Sequence, residues 1–258
     1  MPRVATFNVN SIRSRLDHVV EWLQTHQPDV LALQETKVTD DLFPAAAFEA
    51  IGYTPVYRGQ KSYNGVALIC RDRPKSVQFG FDDDGPADDM RLMRADFDGW
   101  TLVNTYVPQG RDIEHAMYRY KIEWFERLRN WFDRHFSATD HLLWVGDMNV
   151  AHDPIDVHNP EKRAKHVCYH ADARAAFAHC RDWGFIDTFR MHHPEAGHYT
   201  FFDYRNHRVL DTGKGWRIDY ILASPALAQR CRDSYIDLDP RRAQRPSDHT
   251  VLVAEFAL

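Results

Sequence analysis

Apolar positions along this chain alternate between short unbroken runs and helix-spaced stripes, which predicts strands and helices in turn. Residues 4–9 form one run. Leu16, Val19, Val20 and Leu23 then recur at helical spacing until Pro28, and residues 29–35 form a second run. A strand, a helix and a strand in that order predict a parallel pair, and ligands gather beyond the carboxyl ends of such strands, where Asn8 and Glu35 fall. Further strands are expected at 65–70, 91–97 and 101–107, with Asp98-Gly99 as the turn between the last two. A long helix is expected over 113–136, carrying Trp124, Leu128, Trp131 and Phe132 on one face. The run 142–145 predicts a buried strand. A polar, histidine-containing stretch follows over 151–170, then a helix through Ala173, Ala176, Phe177 and Cys180 that Gly184 can terminate. Strands near 199–204, 216–223, 234–238 and 250–256 complete the pattern, and so many strands after the opening unit indicate mixed sheets.

Composition narrows the class. The chain has 258 residues, 44% of them hydrophobic, and no Pro/Gly/Ser-rich linker divides it, so one domain over 1–258 is expected. Most of its 15 Phe, 11 Tyr and 7 Trp are expected in the core. A formal net charge of -5 argues against non-specific coating of nucleic acid. It leaves room for a local basic face, for which Arg91, Arg94, Arg111, Lys121, Arg205 and Arg245 are the candidates. Cys70, Cys168, Cys180 and Cys231 have neither zinc-site spacing nor the density of a disulfide scaffold, so free thiols in a reducing compartment are expected, the cytoplasm fitting best. The N-terminus turns polar too soon for a leader, and no apolar run approaches the ~18 residues of a membrane span. A soluble, unexported protein without a membrane partner is the expectation.

The chemistry concentrates in two strings, Gly146-Asp147-Met148-Asn149 and Pro246-Ser247-Asp248-His249, each beside an apolar run that would hold it rigidly. Side chains two apart on a strand share a face, so Asp147 and Asn149 can enter one site, the carboxylate accepting a water proton and the amide donating to an oxygen that gains charge. Glu35 closes an apolar strand and is a candidate ligand for a hard cation such as Mg²⁺; the plain alternative is a solvated strand end. Asn8 is either a ligand or hydrogen-bond partner of the same ion, or a turn former. Asp219, set among apolar residues, needs a partner, and either His249 or Arg217 can supply it. Tyr106 ends a strand and is a phosphate donor or a half-buried core ring. The fifteen histidines are scattered, with no His-Glu-x-x-His; the pair His166/His170 is the tempting one, and surface histidines explain them better than zinc. No phosphate-cradling glycine loop or Gly-x-Ser-x-Gly elbow is present.

Asn8, Gln34-Glu35-Thr36-Lys37, Tyr106-Val107-Pro108-Gln109-Gly110, Gly146-Asp147-Met148-Asn149, Arg217-Ile218-Asp219 and Pro246-Ser247-Asp248-His249 occur in this order, and the chain closely resembles the exonuclease III family over nearly its whole length. The resemblance implies a four-layer α/β sandwich, two mixed sheets packed face to face with helices outside. It implies a phosphoesterase dependent on Mg²⁺ or Mn²⁺, with Glu35 as ligand and Asn8 and Asp248 nearby. Asp147 would activate the water, Asn149 would bind the developing oxyanion, Tyr106 and His249 would hold the phosphate, and Asp219 would orient His249. The substrate implied is duplex DNA with damaged or recessed 3′ ends, trimmed by exonuclease, 3′-phosphatase or 3′-phosphodiesterase action to a 3′-hydroxyl, by a monomer. Incision at abasic sites by the same family is the alternative. An inositol or phospholipid phosphatase of the superfamily is remoter, because the Gln-Glu-Thr-Lys and Tyr-x-Pro-Gln-Gly strings and Phe202-Asp203-Tyr204-Arg205 resemble the DNA-repair branch. A binding module without activity is disfavoured, since every expected catalytic position is filled.

The chain departs from its relatives where abasic endonucleases usually read Gly-Phe-x-Pro-Glu-Glu-Arg. Here the segment is His166-Val167-Cys168-Tyr169-His170-Ala171-Asp172-Ala173-Arg174. Bulk at His166, Cys168 or Tyr169 is expected to exclude an extruded internal sugar while admitting a freer 3′ end, unless the loop merely varies at the surface. Phe201 stands where relatives often carry Trp in the sugar pocket.

Overall fold

The computed structural model describes residues 2–204 and 209–257. Among these, two six-stranded sheets form. The first has β1 (Arg3–Asn8), β2 (Val30–Gln34), β3 (Thr54–Arg58), β4 (Val66–Cys70), β11 (Cys231–Asp237) and β12 (Val251–Phe256), in the order β11-β12-β1-β2-β4-β3. The second has β5 (Ser76–Phe79), β6 (Leu92–Asp96), β7 (Thr101–Tyr106), β8 (Leu142–Asp147), β9 (Ile186–Asp187) and β10 (Asp219–Ala223), in the order β5-β6-β7-β8-β10-β9. Each sheet is mixed, with one parallel pair, β1 with β2 and β7 with β8, among antiparallel neighbours.

The strand sequences read as continuous apolar runs because both faces are buried. Along β2, Val30 and Ala32 face the other sheet while Leu31 and Leu33 face outward into a helix layer. Along β8, Leu143 and Val145 face the first sheet while Leu142 and Trp144 meet the outer helices. Helices α1 (Ile12–His26) and α2 (Ala45–Glu49) cover the first sheet. Helices α3 (Ala116–His135) and α4 (Ala171–Arg181) cover the second, with Trp124, Leu128, Trp131 and Phe132 fully buried. This is the expected four-layer sandwich. Three short helices, α5 (Thr188–His192), α6 (Pro225–Ala228) and α7 (Asp239–Arg242), lie in the connections.

The sheets are also tied by polar groups. Gln34 Nε2 donates to Thr6 Oγ1 and across the sandwich to Asn104 Oδ1 at 2.8 Å, while Asn104 Nδ2 donates to the carbonyls of Leu33 and Ala67. This buried network leaves Gln34 Oε1 without a partner among the described residues, and its other bonds tie one register of sheet on sheet. It lies directly beneath the carboxyl ends of β1, β2 and β7.

Three strands were not foreseen: β3, which contains Pro55, the edge strand β5 and the two-residue edge strand β9. Conversely, the expected strand at 199–204 is irregular: Thr200 and Phe201 both donate to the Trp216 carbonyl, and Phe202 donates to the Asp248 carbonyl, so the segment laces two loops together rather than extending a sheet.

Candidate active site

At the strand ends a cleft of about 480 Å³ opens, lined among others by Glu35, Tyr106, Asn149, Phe201, Asp248 and His249. Asp147 lies buried beneath it, against Asn149 and His249. The chain reaches it through Gly146, which takes a φ of +127° and passes so close to β7 that a Cβ there would stand 2.0 Å from the Thr105 carbonyl oxygen. Asp147 Oδ1 accepts from the backbone N–H of Asn149 at 2.8 Å, and Oδ2 accepts from Asn8 Nδ2 at 2.9 Å and Asn149 Nδ2 at 3.3 Å. Asn149 holds this geometry with φ +51° and donates its amide to the Val107 carbonyl at 3.0 Å.

Asn8 joins the two halves of the site. Its Nδ2 also donates to Glu35 Oε1 at 2.9 Å, and its Oδ1 accepts from the Asn10 backbone N–H, which fixes the orientation of the amide. Asn8 therefore presents donors to Glu35 and Asp147, between the expected metal ligand and the expected base. Glu35 Oε2 meets the Lys37 ammonium at 2.7 Å. Burial works to raise the Glu35 pKa, but Lys37 and Asn8 outweigh it and the carboxyl sits below its usual range.

On the opposite wall His249 Nδ1 lies 2.8 Å from Asp219 Oδ2, so Asp219 chose the imidazole; Arg217 pairs instead with Asp156 and Asp187. His249 Nε2 points back to Asp147 Oδ2 at 3.8 Å. Burial alone would lower the His249 pKa, and the carboxylates of Asp219 and Asp147 reverse this and raise it, so the ring is kept as an imidazolium. Burial raises the Asp147 carboxyl, against the pull of His249. Tyr106 is pushed well above its usual value by burial and by Glu35 and Asp147, which keeps its hydroxyl a donor.

A cation fits between these walls. The carboxylates of Asp147 and Asp219 lie within 4.8 Å of one another, and Glu35 and Asp248 add hard oxygens to the cleft, while His249, held as an imidazolium, has no lone pair for a metal. Asp219 Oδ1 is buried without a hydrogen-bond partner, and the Lys37 ammonium already sits as a cation on Glu35. Asp248 Oδ1 accepts from Asn10 Nδ2 at 2.9 Å, which aims the residue at the cleft from the first sheet's side.

The other expected residues divide. His166, Cys168 and Phe201 line the cleft; His166 packs on Trp216 with ring centroids 4.5 Å apart, and Phe201 meets His249 edge-on at 5.1 Å. Partial desolvation, with the charges of Lys121 and Arg163, lowers the His166 pKa, so its ring is neutral. Tyr169 is a correction: it is buried in the helical core with Arg174 over its ring and does not line the cleft. His166 and His170 form no ligand pair; His170 caps α4. Lys121 is also a correction, being fully buried. Its ammonium donates to the carbonyls of Asn149 (2.7 Å), Val167 (2.9 Å) and Gln109 (3.3 Å) rather than meeting a phosphate. Arg91 is spent partly on the Tyr106 carbonyl and ring. Arg94 pairs with Asp96 away from the cleft, Arg111 and Arg245 are exposed, and Arg205 lies outside the described residues. Arg163 and Lys214, which sequence reasoning passed over, line the cleft mouth.

Comparison with known proteins agrees with this geometry. A model of the Endonuclease/Exonuclease/phosphatase family matches residues 5–249. Exodeoxyribonuclease III of Haemophilus influenzae is 34% identical over 97% of this chain and 98% of its own length. An AP endonuclease from Archaeoglobus fulgidus superposes with a TM-score of 0.98 at 49% identity, covering all of both chains. A 3′-5′ exonuclease from Neisseria meningitidis does so with a TM-score of 0.95 at 37% identity, over 99% of this chain and all of its own. Matched over nearly its full length in sequence and in fold, the chain belongs to the endonuclease/exonuclease/phosphatase family.

Proposed function

We propose that the protein is a DNA-repair nuclease of the exonuclease III type that hydrolyses 3′-end phosphoesters of duplex DNA and leaves 3′-hydroxyl ends. The observation that carries this is the unbroken line of contacts on the cleft floor, from Glu35 through Asn8 to Asp147 and on to His249 and Asp219. Asp147, fixed by three donors, orients a water and takes its proton. His249 as an imidazolium and the Tyr106 hydroxyl stand round the position of the phosphate and stabilise the charge that grows on its oxygens, while the Asn149 amide, spent on Val107 and Asp147, holds the carboxylate in place. Mg²⁺ or Mn²⁺ held by Glu35, with Asp248 at hand, would supply further neutralisation of the phosphate. Water adds to phosphorus and the P–O3′ bond breaks, releasing the 3′-hydroxyl.

The shape of the cleft favours ends over internal abasic sites. A sugar flipped from a continuous strand must enter beside Phe201, where the His166 ring lies against Trp216 and Cys168 closes the wall. A terminal nucleotide or 3′-phosphate need not be extruded. Internal incision is the second reading, favoured by the 49% identity to the archaeal AP endonuclease. Rates on a duplex with an internal abasic site, a 3′-phosphate and a recessed 3′-hydroxyl decide between them. His166→Gly should raise abasic incision and leave 3′-phosphate release unchanged. Wild-type incision as fast as its 3′-phosphate release would overturn the preference for ends.

A further inference from the structure

The histidines that sequence reasoning left as scattered surface residues include two that the fold gathers round a glutamate, none of the three lining the cleft. His193, Glu195 and His198 lie on the loop after α5, and one ligand atom of each falls within 4.8 Å of the others. Glu195 Oε1 is 2.7 Å from His198 Nε2 and 3.5 Å from His193 Nδ1, so both imidazoles aim a ring nitrogen at the same carboxylate oxygen. Two imidazoles and a carboxylate are the donor set of borderline divalent transition metals, zinc above all, with a fourth position open to water.

The supports of these three side chains are themselves built. The His193 ring stacks on Phe189 at 4.6 Å and 24°, and the His198 ring meets the other part of the same Phe189 edge-on at 5.4 Å. Arg190 Nη1 donates to the carbonyls of His193 (2.9 Å) and Glu195 (2.6 Å), gathering the loop round one guanidinium. That guanidinium is in turn held by the buried carboxylate of Asp156. Ligands whose rings and backbone are fixed in this way lose little freedom when a metal arrives, the condition for a site rather than a chance encounter of side chains.

We infer that His193, Glu195 and His198 form a binding site for a zinc-class divalent cation, separate from the catalytic cleft and independent of the activity proposed for it. The chelate spans six residues and is partly exposed, so the ion enters without unfolding the chain. It would replace the imidazole–carboxylate contacts with metal bonds and tighten the segment leading into Tyr199 and Thr200. Thr200 matters because its Oγ1 accepts from the N–H groups of Ile218 and Asp219 behind the cleft.

The test is a zinc titration of the full chain against a chromophoric chelator, for the wild type and the double variant His193→Ala/His198→Ala. The wild type should take up one more equivalent than the double variant, and added zinc should raise the Tm of the wild type alone. Cobalt(II) should show the intense visible bands of low coordination in the wild type and lose them in the double variant. The single variant Glu195→Gln, at an exposed position, should weaken zinc binding by about tenfold or more, while nuclease rates in Mg²⁺ stay unchanged. Equal stoichiometry and equal Tm response in wild type and double variant overturn the site. If the double variant does not fold, an unchanged zinc affinity in Glu195→Gln overturns it.

Discussion

At the scale of single residues the cleft is defined by what each polar group is given to hold. Asp147 has three hydrogen-bond donors and the His249 imidazolium 3.8 Å away, which together fix a carboxylate able to orient water. Replacing it by Asn in Asp147→Asn should cost about 10²–10⁴ in turnover and leave DNA affinity intact. Near-normal turnover by a folded variant would remove the assignment. Glu35→Ala should instead raise the Mg²⁺ concentration needed for half-maximal rate, with partial recovery at high metal; an unchanged titration would exclude Glu35 as ligand. Lys121 acts from below. Its ammonium holds the Gln109, Asn149 and Val167 carbonyls together under Asn149 and Cys168, so Lys121→Met should lower stability by about 1–3 kcal/mol and kcat by about 10- to 100-fold, with a smaller effect on KM. Steady-state rates beside denaturant melts check this. The lysine was read from sequence as surface charge because a helix stripe that buries Trp124 and Leu128 gives no sign that a cation shares it. The His193 loop was passed over for a similar reason: its spacing matches neither a helical pair nor a known zinc string, and Phe189 and Arg190, which order it, precede it on a separate short helix.

At the scale of elements, β8 shows why the Gly-Asp-Met-Asn string has the form it has. Thr105 and Gly146 are register partners in the parallel β7–β8 pair, and the absent side chain lets the strand turn its last carboxylate upward. Gly146→Ala meets both the Thr105 carbonyl and a positive φ, and should destabilise by about 3 kcal/mol or more while abolishing activity, measured by thermal melts and turnover together. Wild-type stability would show that β7 can yield. A second element is the buried trio Asp156, Arg190 and Arg217. Burial opposes ionisation of Asp156, but the two guanidinium groups hold its pKa below the usual 3.8, so its contribution is fully present above 3.8 and is lost as pH falls through the lower folded value. Asp156→Asn leaves Arg217 under-compensated and should cost about 3–5 kcal/mol at neutral pH. The gap from wild type should shrink below pH 3.8; a gap that grows on acidification contradicts the pairing. Strands such as β2 and β8 were legible because each opens with four successive apolar residues, a run that fits burial on both faces. The edge strands β3 and β5 were not, since half-exposed residues and a proline leave no such run.

Across the whole molecule the four layers were legible only through family likeness. Apolar runs give strands but not which sheet each joins, and the β11-β12-β1-β2-β4-β3 order places the last strand beside the first. DNA must approach a protein of net charge -5, so affinity rests on the few cations round the mouth. Neutralising Arg163 or Lys214 should each flatten the plot of log affinity against log salt by about 1, equally for all sequences; unchanged slopes would move the DNA path elsewhere.

The contacts of the cleft floor also say when this protein first becomes able to cut. Asn8 reaches Asp147 across 139 positions of sequence, and Ser247 Oγ donates to the Asn8 carbonyl across 239. Synthesis delivers the chain from its N-terminus, so Glu35, Asn8 and Asp147 all emerge well before His249 can close on Asp219. A nascent chain that has not yet delivered His249 therefore holds the carboxylates without the imidazolium, and the cleft lacks one of its charges until the strand that follows His249 pairs beside β1.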